Sequence, residues 1–112
     1  LLDAGMNDLL RPSLYQAHHP LLAASLSTSA RPETFDVVGP ICESTDCFHK
    51  NYPMLRPNTG DLMFFTVVGA YCSVLSSSYN SRPLIPELLV NGENVRVIRK
   101  AWTIDEQLKL EE

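Results

Sequence analysis

The sequence predicts a mostly-β fold, a β-sandwich or partial β-barrel with a few short helices. Eight prolines divide the chain into short pieces, and a proline inside a run works against a long helix. Between them lie runs rich in β-branched and aromatic residues, stopped by Gly, Pro, Asn and Ser, as strands joined by turns read. Two such runs flank Asn91-Gly92, a dipeptide that tolerates the positive φ of a tight hairpin.

Taken along the chain, "NDLLRPSLYQAHH" (residues 7–19) has room for one or two helical turns, although Pro12 biases Arg11 away from helical geometry. "SLSTSARPE" (residues 25–33) reads as a loop. "TFDVVGPI" (residues 34–41) is a strand stopped by Gly39-Pro40. "NTGDLMFFTVV" (residues 58–68) opens on a Thr59-Gly60 turn and continues as a buried strand. "GAYCSVLSSSYNSRP" (residues 69–83) carries Ser76, Ser77, Ser78, Tyr79, Asn80 and Ser81, too many polar groups for a strand core. It fits either a phosphate-binding segment or a capped loop bonded to itself. "PELLVNGENVRVIRK" (residues 86–100) is the hairpin. In its second arm Val95, Val97 and Arg99 share one side while Arg96 and Ile98 take the other, which favours strand over helix. "TIDEQLKLEE" (residues 103–112) pairs Thr103 with Glu106, a capping box on a short terminal helix.

The chain of 112 residues suits one domain, residues 1–112, with one core. Its 45% apolar and 20% charged residues argue against disorder, and a net charge of −4 argues against nucleic-acid binding. The one basic run, "RVIRK" (residues 96–100), reads as a solvated strand face. No apolar stretch reaches the roughly 18 residues of a membrane span, and Thr66 and Gly69 interrupt the longest. Cys42, Cys47 and Cys72 cannot all pair and match no zinc spacing, so a reducing, cytoplasmic setting is expected and no metal is. The opening "LLDAG" has neither a signal-peptide pattern nor a Met, and suggests a segment of a longer chain.

The residue types with chemistry fall in three places. In "GPICESTDC" (residues 39–47), Cys42 follows a strand and a Gly-Pro break, where side chains are presented rather than packed. The Glu43 carboxylate beside it favours the protonated thiol, which suits a proton donor better than a nucleophile. A small Cys buried at a strand end is the plain alternative. Arg11 and Tyr15 are four apart and share a face if helical. An Arg fork with a phenol beside it can hold a carboxylate, and a surface cation stacked on a ring is the equally simple alternative. His18 and His19 are adjacent, so their side chains point apart, and a solvent-side pair is expected.

Together these segments resemble the diaminopimelate decarboxylases, fold-III pyridoxal-phosphate enzymes. "DAGMNDLLRPSLYQAHH" is similar to the start of the family's C-terminal part. "VVGPICESTD" is similar to its Gly-Pro-x-Cys-Glu-Ser-x-Asp motif, and "GDLMFFTVVGAYCSVLSSSYNSRPLIPELLV" to its Gly-Asp-Leu, Gly-Ala-Tyr and Tyr-Asn-Ser-Arg-Pro block. In the family's order, these motifs cover the chain from Asp3 to about Lys100.

The resemblance implies roles. Cys42 matches the acid that protonates the substrate carbon after carbon dioxide leaves. Glu43 matches a contact to the substrate's distal amino acid end. Both would reach into the neighbouring subunit of a homodimer. Arg11 and Tyr15 match residues holding a substrate carboxylate, and Tyr71 matches a tyrosine beside both substrate and cofactor. The implied cofactor is pyridoxal 5'-phosphate, and the implied reaction takes meso-diaminopimelate to L-lysine and carbon dioxide. Cys72, the "CSVLSS" run and Cys47 depart from the pattern without touching these positions. The family's N-terminal α/β barrel, with its imine-forming lysine and glycine-rich phosphate site, has no counterpart here, and Lys50, Lys100 and Lys109 lie outside any matching motif. The expectation is therefore a C-terminal β-domain that is inactive alone. By the same resemblance it lacks a strand supplied from the N-terminal end of the whole chain, which would leave a sheet edge open. A non-catalytic binding or dimerising relative, and a decarboxylase acting on ornithine, arginine or carboxynorspermidine, are the alternatives.

Overall fold

A computed structural model describes residues 1–25 and 31–111. The central part of the expected loop, residues 26–30, and Glu112 of the expected terminal helix lie outside the described residues. The chain runs α1 (Arg11–Tyr15), β1 (Leu21–Ala23), β2 (Pro32–Val38), β3 (Cys47–Leu55), β4 (Met63–Phe65), α2 (Cys72–Leu75), a 3-10 turn (Tyr79–Ser81), β5 (Glu87–Asn91), β6 (Asn94–Arg99) and α3 (Ile104–Leu108). The mostly-β class holds. Among the described residues its strands form antiparallel two-stranded ribbons, β1 with β4, β2 with β3 and β5 with β6.

The first two ribbons pack on each other and make the core. Leu21 of β1, Val37 of β2 and Phe48 of β3 are buried together with Leu9 and Cys72. Met63 and Phe65 of β4 and Tyr52 and Met54 of β3 pack around them. The Phe48 and Phe65 rings meet at 4.8 Å between centroids, and burying a ring of this size stabilises by about 1.5–3 kcal/mol. Tyr52 ties the ribbons further, because its hydroxyl donates to Leu21 O at 3.3 Å and lies 3.2 Å from the Leu21 N–H. These paired ribbons are the nucleus of the expected sandwich.

β3 is the longest strand and was not expected. Its sequence hides it behind a bulge. Opposite β2, Phe35 pairs with Tyr52 but Val37 pairs with His49, so the register slips between them. Asn51 takes up the slip at φ 51°, with its N–H donating to Asp36 Oδ1 at 2.9 Å. Phe48 turns inward before the bulge and Tyr52 and Met54 after it, but Lys50 and Asn51 between them are both exposed, which interrupts the alternation a strand normally shows. The short β1 was missed as well. The buried strand expected over residues 58–68 forms only at Met63–Phe65 and is half-buried, with Phe64 exposed, because the chain turns at Asn58–Asp61 before it and at Val67, φ 59°, after it.

The β5–β6 hairpin forms as expected with its turn displaced by one residue. Asn91 pairs with Asn94, leaving Gly92 and Glu93 as the two loop residues. Gly92 has φ 60°, the first-position glycine of a type II′ turn. Among the described residues neither face of this ribbon is covered: Leu88, Leu89, Val90, Val95, Val97 and Ile98 are between 45% and 64% exposed. The paired backbones of Leu84 and Trp102 close its base, and it is tied to the rest through Ser73 Oγ, which donates to Glu87, and through Arg82, whose guanidinium donates to Asp3 O at 2.6 Å. The capping box forms, with Thr103 Oγ1 accepting from Glu106 N–H and the Glu106 carboxylate accepting from Thr103 N–H at 2.9 Å. The helix it starts covers Ile104–Leu108, shorter than the expected span.

Candidate functional site

The loop after β2 is built by its own backbone. Gly39 N–H donates to Asp46 O at 3.0 Å, Asp46 N–H to Glu43 O at 3.0 Å and Glu43 N–H to Ile41 O at 2.8 Å. Asp46 is 4% exposed, and its carboxylate accepts from Ile41 N–H and from Met6 N–H, both at 2.7 Å. Ile41 is buried, whereas Cys42 and Glu43 stand exposed at the apex. The thiol of Cys42 is free and has no hydrogen bond among the described residues. Glu43 Oε1 has only a distant donor, Ser44 Oγ at 3.5 Å. Of the two settings open for Cys42, presentation wins over burial.

Arg11 and Tyr15 occupy the two ends of α1. Pro12 sits in the first helical turn, where its missing N–H costs nothing, and Gln16 ends the helix at φ 55°. Tyr15 is exposed, and the Arg11 guanidinium carbon lies 5.9 Å from the centroid of the Tyr71 ring. Arg11 Nε is buried without a partner, and no carboxylate pairs with Arg11 among the described residues. Tyr71 is 67% exposed, at φ 66° just before α2. The fold therefore unites Arg11 with Tyr71, residues 60 apart in sequence. It also ties α1 to the Cys42 loop, because Ser13 Oγ donates to Thr45 O at 2.6 Å. Within the one chain, neither Cys42 nor Glu43 hydrogen-bonds with Arg11, Tyr15 or Tyr71.

Other expectations resolve more simply. In the hydroxyl-rich segment Ser76 Oγ donates to Ser73 O at 2.6 Å and Ser77 Oγ accepts from Tyr79 N–H, while the side chains of Ser78, Tyr79, Asn80 and Ser81 have no hydrogen bond among the described residues and line a cavity with Met6 and Asn7. The histidine pair divides. His18 is exposed as expected, but His19 is 1% exposed, turned inward by the alternation of neighbours along an extended segment. His49 stacks on Tyr52 at 4.2 Å, and its Nε2–H donates to His19 O at 2.8 Å. Burial holds His49 below the ordinary histidine value of 6.5, against the pull of that hydrogen bond and with help from His18 and His19. Sequence reasoning assigned nothing to Asp46 or His49. Asp46 stood inside the quoted motif, and its burial was the missing signal.

Among the described residues no three His, Cys, Asp or Glu side chains gather as metal ligands, and no helix is long and apolar enough to cross a membrane. For an anionic cofactor, Tyr71 with Arg11 beside it offers one exposed phenol and one cation. Lys50, Lys100 and Lys109 are exposed on β3, after β6 and at the end of α3. Arg11 and Tyr71 are of the types that could form one wall of a site for pyridoxal phosphate.

Residues 1–69 match the C-terminal sheet domain of the pyridoxal-dependent decarboxylases. The chain belongs to that family. At full coverage of this chain it is 44% identical to a diaminopimelate decarboxylase of Helicobacter pylori and 40% identical to one of Zymomonas mobilis. It spans 28% and 26% of their respective lengths. The crystal structure of the Helicobacter pylori diaminopimelate decarboxylase complexed with L-lysine superposes with a TM-score of 0.89 at 44% identity, covering 97% of this chain and 27% of that one.

Proposed function

We propose that residues 1–112 are a single C-terminal sheet domain of a diaminopimelate decarboxylase, which removes one carboxylate of meso-diaminopimelate to give L-lysine. The observation that carries this reading is the Cys42–Glu43 pair, exposed at the apex of a loop locked from beneath, with the Cys42 thiol free. The names and the L-lysine complex of the relatives support the substrate class. Partners in this reading are an N-terminal barrel domain, a second copy of the chain and a small amino acid substrate, in the cytoplasm.

Pyridoxal phosphate, when bound, accepts the electron pair released as carbon dioxide leaves. The residues of this chain do the rest. Cys42 Sγ–H gives a proton to the carbon that lost its carboxylate, and the loop fixes the face from which that proton arrives. The guanidinium of Arg11, with no carboxylate of its own, holds a substrate carboxylate as a fork, and the Tyr15 hydroxyl adds a hydrogen bond. Glu43 pairs with the ammonium at the distal end, and Tyr71 closes the wall beside Arg11. A substrate lacking the distal amino acid head leaves these charges unpaired, which rejects it strongly. That favours diaminopimelate over ornithine, arginine and carboxynorspermidine.

The test uses the complete polypeptide carrying this segment, loaded with cofactor. It should release carbon dioxide from meso-diaminopimelate in strong preference to ornithine, arginine and carboxynorspermidine. Cys42→Ala should slow turnover at least about 100-fold with cofactor content retained. Equal turnover of the competing substrates would overturn the substrate assignment. A protein with all residues intact and no decarboxylation of any of them would favour the binding-module reading.

A further inference from the structure

We infer that Asp46 is a positioning residue, whose buried carboxylate sets where the Cys42 thiol stands. The inference rests on the proton-donor reading of Cys42. Its two oxygens divide the work: Oδ2 accepts from Ile41 N–H and Oδ1 from Met6 N–H, each at 2.7 Å. The first bond fixes the backbone one residue before Cys42. The second fastens the loop to the turn that leads into α1 and Arg11, 40 residues away in sequence. No cation pairs with Asp46 among the described residues, so these bonds compensate the burial of a charge. The surroundings are shaped to this carboxylate. A methyl at Gly39 would lie 2.7 Å from its carboxyl carbon, and one at Gly5 would lie 2.9 Å from Ile41 Cγ1, so both glycines permit the close approach. An asparagine is the same size but has one acceptor oxygen and one amino group. It would turn that amino group toward an N–H donor.

The carboxyl group of Asp46 holds the N–H of the residue before the thiol, so a change there moves the backbone that carries Cys42. Misplacement of a reacting group by about 1 Å can cost about 100-fold in rate. Asp46→Asn in the complete, cofactor-loaded enzyme should therefore lower kcat about 10–100-fold per cofactor-bearing site. In hydrogen–deuterium exchange the Ile41 and Met6 amides should lose protection. Gly39→Ala keeps the charge but displaces it, and should reproduce both effects. It carries the test if Asp46→Asn does not fold. The deciding comparison places Asp46→Asn in the Cys42→Ala background, where it should leave kcat at the Cys42→Ala value. Displacement of Glu43 reads in KM and does not enter that comparison. An unchanged kcat in the Cys42-containing enzyme, or an equal further loss in both backgrounds, overturns the positioning role and leaves the proton-donor reading standing. Full turnover by Cys42→Ala alone overturns the proton-donor reading and the inference with it.

Discussion

At Cys42 and Glu43 the sequence carries its meaning openly, because a Gly-Pro break ends the strand and, past the buried Ile41, both side chains stand in solvent. The residues beneath them were illegible for a physical reason. Asp46 is satisfied by backbone N–H groups from residues 5 and 40 positions away, and no side-chain pattern records a backbone donor. His49 is similar, since its partners are the His19 carbonyl and the Tyr52 ring. Its depressed titration has a consequence for stability. With the folded value below 6.5, the unfolded chain takes up the proton first as pH falls. The stability that neutral His49 contributes is complete above pH 6.5 and is lost as pH falls through its lower folded value. Thermal unfolding of the complete polypeptide should therefore begin at lower temperature at pH 5.5 than at pH 7.5. His49→Gln keeps a donor for the His19 carbonyl without a titrating ring, and should shrink that difference. An equal pH dependence in both proteins would rule His49 out as its source.

Among the elements, those that follow a local rule were readable. The capping box forms as two local side-chain to backbone bonds, and the hairpin follows from a glycine between two β-rich runs. Gly92 occupies the first loop position at φ 60°, where a side chain costs about 1–2 kcal/mol. Gly92→Ala should thus speed amide exchange across β5 and β6 about fivefold or more, while leaving exchange in β2 and β3 as it is. Gly92→Asn should do so less, because asparagine tolerates positive φ. Uniform acceleration across all strands would mean that the hairpin and the core open as one unit. β3 eluded reading because its pattern is broken by a bulge whose cause lies in another strand, at Asp36. Elements set by distant partners are invisible to local periodicity, however regular the final pairing.

For the whole molecule, the buried core is small against the apolar surface left outside. Among the described residues the buried apolar side chains are Leu9, Pro12, Leu21, Val37, Ile41, Phe48 and Cys72. The apolar side chains of the β5–β6 ribbon and Leu62, Val67 and Val74 remain exposed. The radius of gyration is 15.5 Å, whereas a compact domain of this length has about 13 Å. Two-stranded ribbons are marginal in water on their own, and exposed apolar strands with open edges invite pairing with other chains. The proposed barrel domain and second copy are covers of the kind such a surface needs. Residues 1–112 made alone should therefore sediment as concentration-dependent oligomers and brighten a hydrophobic dye. Adding a separately prepared barrel domain should quench the dye signal and restore decarboxylation together, because one surface serves both packing and catalysis. A segment that sediments as a monomer and leaves the dye dark would show that its apolar surface is already covered. The requirement for the barrel and the second copy would then rest on the cofactor lysine and the shared active site alone.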